Sequence, residues 1–165
     1  MNSYQGSVMT EDAIDMDLSC STPPEDGLDI VSYVDTIEAV IASLDQGDGA
    51  MVSQTDDGHL WRFKYGSVDV YAQLTGETET DTLTVWSPVL VLPAKDEPRL
   101  MKRLLEKNCN ETLEARFGIS GNQVLVISSR ILKDISPAEI SRLMTIVATI
   151  ADDSDEALVS EFGMS

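Results

Sequence analysis

The sequence predicts an α+β domain in which helices flank an antiparallel sheet. Apolar residues recur at three- and four-residue spacing in three segments, which is the pattern of helices with one buried face. Between these segments apolar and polar residues alternate, as they do in a strand with one buried face. The resulting order is helix, three or four strands, helix, two strands, helix. Helices segregated from hairpin-joined strands are typical of the α+β class.

The first helix is predicted from about Asp29 to Leu44, because six aliphatic residues at helical spacing share one of its faces. Gly47 and Gly49 mark its end. A weak strand over 50–54 is expected directly after these glycines.

Two strands with alternating apolar residues are predicted over His59–Tyr65 and Val68–Leu74. Gly66-Ser67 between them suits a two-residue hairpin turn with glycine at its first central position. A longer strand is predicted over Thr82–Leu92, where Pro88 has no amide hydrogen and therefore requires a bulge or a sheet edge.

The second helix is predicted over about Glu97–Asn108, with Asp96 as its N-terminal cap. It carries the basic cluster of the chain beside an apolar stripe. The basic residues are Arg99, Lys102, Arg103 and Lys107. They are candidate partner-binding residues, for an acidic segment of a partner or for the protein's own acidic tail. A solvated helix face is the other interpretation.

A second hairpin is predicted from the strands Leu113–Phe117 and Gln123–Ser129, joined around Ser120-Gly121. The later strand is apolar on both faces from Val124 to Ile127. This pattern indicates a central strand that is covered on both sides, or one whose second side is covered by another subunit.

The last helix is predicted to begin at Pro137, because Ser136 and Glu139 form a capping box around it. Apolar residues at helical spacing continue to Phe162, which gives a helix of 26 residues and about 39 Å if it is unbroken. A break near Asp152–Ser154 is the alternative, since these residue types favour helix caps over helix interiors.

Length and charge limit the partners that the chain can have. Its 165 residues and 18.0 kDa suit one domain with a tail, and the net charge is −18. A nucleic-acid backbone or an anionic membrane would be repelled, so neither is an expected partner. No apolar run approaches the length of a membrane span, and a secretory signal pattern is absent from the first residues, so the cytoplasm is the expected location.

The acidic charge is concentrated at the two ends of the chain. Residues 1–61 carry −13, residues 62–133 carry +1 and residues 134–165 carry −6. We expect residues 1–27 to form a disordered acidic tail and residues 28–165 to form the domain. Within the tail, Ile14, Met16 and Leu18 alternate with polar residues, which leaves a short docking segment open as an alternative to a plain solvated tail.

No residue pattern predicts catalysis, a metal site or a cofactor. The sole histidine, His59, follows a turn-like sequence without a recognisable nucleophile beside it, so we expect a surface histidine. The acidic residues of 152–156 lack the spacing of a calcium loop. The acidic turns at 56–57 and 77–81 lack a predicted pocket that would separate the pKa values of paired carboxyl groups.

The glycines and cysteines likewise predict structural roles and no phosphate-binding, metal-binding or reactive-thiol site. Gly47-Asp48-Gly49 leads into a strand pattern, whereas a phosphate-binding loop leads into a helix. Cys20 and Cys109 give no disulfide framework or metal-ligand spacing. Cys109 lies at a helix end, where a packing role is expected, because a lowered thiol pKa is favoured at a helix start.

Trp86 is a second candidate for partner binding. Alternation turns Leu83 and Val85 inward and places Thr84 and Trp86 on the opposite face of their strand. Either another element covers that face, or Trp86 is exposed and marks an interface.

Four segments of the chain share an apolar pattern and spacing with a known family. They are Leu60–Tyr71, Leu83–Val89, Leu104–Asn108, and Val147–Asp153 followed by Leu158. Together they resemble the YbjN-domain proteins, in the version found in cyanobacteria, and the resemblance covers about residues 28–163.

This resemblance implies a type III secretion chaperone-like fold, which is a helix-flanked antiparallel sheet. Such chaperones are commonly homodimers that bind extended segments of partner proteins, and YbjN-domain proteins have been described as regulators of sensory transduction. The family has no agreed catalytic residues, so none is expected here.

The sequence and the resemblance together predict a non-enzymatic, homodimeric module that binds a partner polypeptide in a chaperone-like or regulatory role. A small-molecule sensor with a pocket between helix and sheet is the alternative. An enzyme that relies on carboxylates or on His59 in an enclosed cleft is a further rival.

Overall fold

A computed structural model describes residues 32–47, 49–55 and 58–164. The predicted tail over 1–27 and the predicted first turn of the first helix, 29–31, lie outside this part of the chain. The described elements are α1 (Tyr33–Leu44), β1 (Met51–Thr55), β2 (Gly58–Tyr65), β3 (Val68–Leu74), β4 (Thr82–Val91), α2 (Glu97–Asn110), β5 (Arg116–Ser120), β6 (Gln123–Ile131) and α3 (Pro137–Phe162).

The six strands form one sheet in the order β1-β2-β3-β4-β6-β5, and every neighbouring pair is antiparallel. The predicted α+β class and element order are confirmed. Gly66 opens the β2–β3 turn with a φ of 52°, a left-handed conformation that glycine adopts without strain. Pro88 lies at a β-bulge, as its missing amide hydrogen predicts.

One face of the sheet packs against the helices and forms the hydrophobic core. Helix α3 lies mainly against β4, while α1 packs on α3 and β2. Because successive side chains of a strand point to opposite faces, only alternate strand residues enter this core. Its largest fully buried side chains include Trp61, Phe63, Leu74, Leu83, Leu100, Met144 and Phe162.

Helix α1 is fixed by polar contacts at its start and at Glu38. The Ser32 hydroxyl oxygen accepts a hydrogen bond from the amide of Val34 and so caps the helix. Within the helix, the Glu38 carboxylate accepts one from Nε1 of the buried Trp61, at 3.3 Å. The indole is thereby satisfied inside the core.

Helix α3 runs unbroken over 26 residues, and the predicted capping box at Ser136 and Glu139 is present. The suspected break at Asp152–Ser154 is absent. Asp152 does not compete with the helix for its own amides, because its carboxylate accepts hydrogen bonds from the amide (2.7 Å) and the hydroxyl (2.9 Å) of Ser67. The same hydroxyl lies 2.8 Å from the Asp155 carboxylate, so the two carboxylates share its one proton.

The strand predicted at Leu113–Phe117 is wrong by three residues at its start. Helix α2 continues to Asn110, and the chain then turns, with Leu113 at a φ of 51° and three-quarters exposed. The side chain of Asn108 donates to the carbonyl of Phe117 (3.2 Å) and accepts from its amide (2.7 Å). These contacts fix where β5 begins against α2.

Candidate partner-binding surface

The opposite side of the sheet, which we call the open face, is not covered by any of the described helices. The strand register places one residue from every strand in a straight row across this face. The row, from β1 to β5, consists of Met51, Arg62, Tyr71, Trp86, Ile127 and Arg116. An aromatic and aliphatic centre therefore lies between two arginines.

Trp86 is partly exposed at the centre of this row. Its ring stacks on that of Tyr71, with centroids 5.5 Å apart and planes at 11°. The guanidinium carbon of Arg62 lies 5.9 Å from the centre of the Tyr71 ring on the other side. Alternation placed Trp86 on the correct side of its strand, and the structure shows a half-buried aromatic pair there.

Arg62 is held in place by Asp69, whose carboxylate lies 3.0 Å away. The hydrogen bond to Asp69 and the negative charge of that group raise the pKa of Arg62 above its ordinary value. Arg62 is therefore already engaged on the β2 side of the aromatic pair. At the β5 end of the row, Arg116 forms no ion pair with any residue of the described ranges.

A shallow groove of about 490 Å³ lies beside Trp86 on the open face. It is lined by Gln73, Thr84, Trp86, Arg116, Gly118, Ile119, Ser120, Leu125 and Ile127. We call it the Gly118 groove, because the missing side chain of Gly118 opposite Leu125 leaves it open. Leu125 is only 7% exposed yet lies outside the core cluster.

The basic residues of α2 are engaged with α3 or with α2 itself. Arg99 (2.5 Å) and Arg103 both contact the carboxylate of Glu161, and both guanidinium groups lie over the ring of Phe162, at 5.7 and 6.0 Å. Lys102 lies 3.7 Å from Glu106 on the same helix.

Lys107 reaches Glu111 just beyond the end of α2, at 2.5 Å. All four candidate basic residues therefore have a carboxylate partner within the chain. These residues line an open cleft of about 720 Å³ together with Glu161. A partner would have to compete with those carboxylates, so the positive charge available there is smaller than the sequence suggests.

The family of this chain follows from the match of its sequence to a protein-family model. The sequence model of YbjN, described as "Putative bacterial sensory transduction regulator", matches residues 33–160. The chain belongs to the YbjN family. The match spans most of the described part of the protein and includes every strand and most of α3.

One chain in a crystal structure of the ExsC–ExsE complex is similar to this YbjN protein, with 14% sequence identity and a TM-score of 0.48. The similarity covers 77% of the YbjN chain and 96% of the other. No curated protein sequence matches.

A second cleft in the YbjN protein lies between helix α1 and the β1–β2 edge of the sheet. Its volume is about 440 Å³, and its lining includes Glu38, Asp45, Val52 and Trp61. The sequence left a small-molecule sensor as the alternative function, and the pocket between helix and sheet that such a sensor needs corresponds to this cleft. Glu38 already accepts the Trp61 hydrogen bond, which leaves Asp45 as the other acidic group among the described residues that line the cleft.

Asp45 is also engaged, because its carboxylate accepts hydrogen bonds from the amides of Gly47 (3.1 Å) and Lys64 (3.0 Å). Among the loop carboxylates, Asp81 accepts bonds from the hydroxyl (2.6 Å) and amide (2.9 Å) of Thr78. Those bonds lower the pKa of Asp81. These acidic groups stabilise loops of the fold.

The remaining sequence candidates are dispersed. His59 lies on β2 and stacks on the ring of Trp61, with centroids 5.4 Å apart, and Cys109 is exposed near the end of α2. Within the described ranges, no three His, Cys, Asp or Glu side chains are grouped so that they could hold a metal ion. No helix of that part of the chain is long and apolar enough to cross a membrane.

Proposed function

We propose that this YbjN-family chain is a non-enzymatic module that binds a partner polypeptide on the open face of its sheet, in a chaperone-like or regulatory role. One observation carries the proposal, namely the stacked Tyr71–Trp86 pair with the Gly118 groove beside it on an uncovered sheet face. Exposed aromatic residues beside apolar ones are enriched at protein interfaces.

The energetics support a polypeptide as the occupant. The groove is shallow and open, and burial of one large aliphatic side chain contributes roughly 1.5–3 kcal/mol. Micromolar binding requires about 8 kcal/mol. A ligand must therefore contact several positions of the row at once, which an extended segment does along its length.

The proposal has four finer parts that rest on the sequence. The protein acts in the cytoplasm, it belongs to the cyanobacterial version of its family, and it works as a homodimer. The α2 residues Arg99, Lys102, Arg103 and Lys107 form a second contact surface for the partner.

Paired capture experiments test the proposal. Wild-type protein and the Trp86→Ala variant serve as baits in native lysate, and bound polypeptides are quantified. We expect a polypeptide that the wild type retains and Trp86→Ala loses. Val159→Ala is the matched control, because Val159 is also an exposed apolar residue but lies on α3, away from the open face. Equal recovery by all three baits contradicts the proposal.

The α2 surface is tested in the same experiment with Lys102→Glu. Among the described residues, Lys102 forms an ion pair with Glu106 of its own helix alone. Charge reversal at Arg103 would instead repel Glu161 and loosen α3 from α2. Reduced partner recovery by Lys102→Glu supports the second contact surface, and unchanged recovery removes it.

A small-molecule sensor is the second candidate, and the cleft between α1 and the β1–β2 edge is the observation that favours it. A ligand that binds the folded state raises its apparent stability. Thermal unfolding with and without a fractionated metabolite extract distinguishes the two functions. A rise in Tm that persists in Trp86→Ala supports the sensor, because Trp86 does not line this cleft.

A further inference from the structure

We infer that the Gly118 groove selects an extended acidic segment, in which an apolar side chain enters the groove and a carboxylate two residues away binds Arg116. This inference rests on the proposed function and names the chemistry of the partner. Its first support is the charge of the open face. The charged strand residues on that face are Arg62, Lys64, Arg116 and Asp69, a net positive set on a chain of net charge −18.

Arg116 is the cation of this set that is available for a partner. Asp69 holds Arg62, and the Lys64 ammonium donates to the carbonyl of Ser67 at 2.9 Å. Arg116 is exposed, lines the groove and has no ion-pair partner in the described ranges. A guanidinium presents paired donors that match the two oxygens of a carboxylate.

The spacing along β5 sets the spacing in the partner. Arg116 and Gly118 are two residues apart on one strand, and both pair with open-face residues of β6, Ile127 and Leu125. In an extended chain, residues i and i+2 project to the same side about 6.8 Å apart. A segment lying along β5 with an apolar residue and Glu or Asp at this spacing matches both positions.

The segment lies on the face of β5, because α2 already contacts the edge of that strand at Phe117. Asn108 of α2 takes the outward amide and carbonyl of Phe117. An added strand would have to displace this side chain from β5 before it could pair there. The face beside Trp86 has no such obstacle among the described residues.

A second copy of the chain is a poorer occupant of the open face. A two-fold interface brings the same patch of both copies together, so the patch must be complementary to itself. Here Arg62 lies on one side of the aromatic pair in the row and Arg116 on the other. Two such rows would bring like charges together on both sides of the pair.

The test uses three pools of short labelled peptides with an apolar residue followed two positions later by Glu, Gln or Lys. Binding to the folded wild type is measured by fluorescence polarisation. We expect the Glu pool to bind about two- to fivefold more tightly than the Gln pool, because the ion pair is exposed. The Arg116→Glu variant is expected to reverse the preference and bind the Lys pool most tightly.

A second variant fills the groove without removing a side chain. A Cβ on Gly118 would meet only Ile127 and Leu125, at 3.8 and 3.9 Å, which is ordinary contact. Gly118→Leu is therefore expected to fold and to weaken binding of every pool by about tenfold or more. Ser53→Val is the matched control, since it adds a branched apolar residue to the same face on the opposite edge strand.

Circular dichroism and urea unfolding establish that each variant is folded, and Trp86→Ala replaces Gly118→Leu if the latter is not. Pools that bind equally, or an unchanged preference in Arg116→Glu, overturn the acidic-segment inference. Failure of all pools to bind the wild type also overturns it. The capture experiment uses no designed peptide, so it still decides the wider proposal.

Discussion

Glu139 closes the first turn of α3 and makes the stability of the fold depend on pH. Its carboxylate accepts hydrogen bonds from the amide (2.9 Å) and hydroxyl (3.0 Å) of Ser136 and lies 2.9 Å from Arg130. The bonds from Ser136, with a smaller contribution from Arg130, lower the pKa of Glu139 below its ordinary value of 4.5. The folded state therefore favours the charged carboxylate.

The sign of the pH effect follows from this direction. A carboxyl group with a lower pKa in the folded state stabilises the fold above the unfolded pKa and loses that contribution as pH falls through the folded pKa. We predict that wild type exceeds Glu139→Gln in unfolding free energy at neutral pH, and that the difference shrinks as pH falls below 4.5. Urea unfolding across this range measures it. In a Ser136→Ala background, the effect of Glu139→Gln on the unfolding free energy should depend less on pH. An effect that does not change with pH when Ser136 is present would contradict the lowered pKa of Glu139.

Individual side chains differ in how far the sequence could predict their roles. Alternation along β4 was enough to place Trp86 on the face opposite the core. Its stacking on Tyr71 and its place in a row with Arg116 depend on the register of three strand pairs, which alternation within one strand does not specify. The pairing of Arg99 with Glu161 joins residues 62 positions apart and has no local signal.

At the scale of elements, local signals predicted most helices and strands, and tertiary contacts decided the exceptions. The capping box and Asp96 fixed the starts of α3 and α2, because these contacts lie within four residues. The alternation after α2 suggested a strand at Leu113, but the contacts of Asn108 with Phe117 start β5 later. Asp152 likewise favours a helix break until Ser67 of the β2–β3 turn binds its carboxylate.

The contact between the β2–β3 turn and α3 gives an element-scale prediction. Gly66 and Gly121 both open hairpin turns, with φ values of 52° and 56°. A Cβ on Gly66 would lie 2.1 Å from the Asp152 carboxylate, whereas one on Gly121 would meet nothing within 4 Å. Both alanine variants share the left-handed strain of about 1–2 kcal/mol, and only Gly66→Ala also displaces Asp152.

We therefore predict a greater loss of unfolding free energy for Gly66→Ala than for Gly121→Ala, by about 1 kcal/mol or more, which is the net value of one lost hydrogen bond. Urea unfolding of the two variants and the wild type measures the difference. In an Asp152→Ala background the two glycine substitutions should become equivalent. Equal losses in the wild-type background would show that the turn does not depend on α3.

For the whole molecule, apolar exposure and charge act in opposite directions on self-association. Leu105 of α2 and Leu113 in the following turn are 67% and 75% exposed. They lie near ion-paired residues of α2, where the acidic charge of the chain is locally balanced. Burial of such leucines favours a dimer, while the net charge of −18 on each copy opposes it.

We predict a homodimer that associates through Leu105 and Leu113, apart from the basic α2 residues that are proposed to contact the partner. Its stability should increase with salt, because salt screens the repulsion between the two acidic chains. Sedimentation equilibrium should give twice the 18.0 kDa of one chain, with a smaller dissociation constant at higher ionic strength. Leu105→Glu should return the protein to the single-chain mass. Ile131→Glu introduces the same charge on the open face and should leave the dimer intact, since that face is proposed to bind a partner. If only Ile131→Glu dissociates the dimer, the dimer interface lies on the sheet and the open face does not bind a partner. A wild type that stays at the single-chain mass would exclude the homodimer.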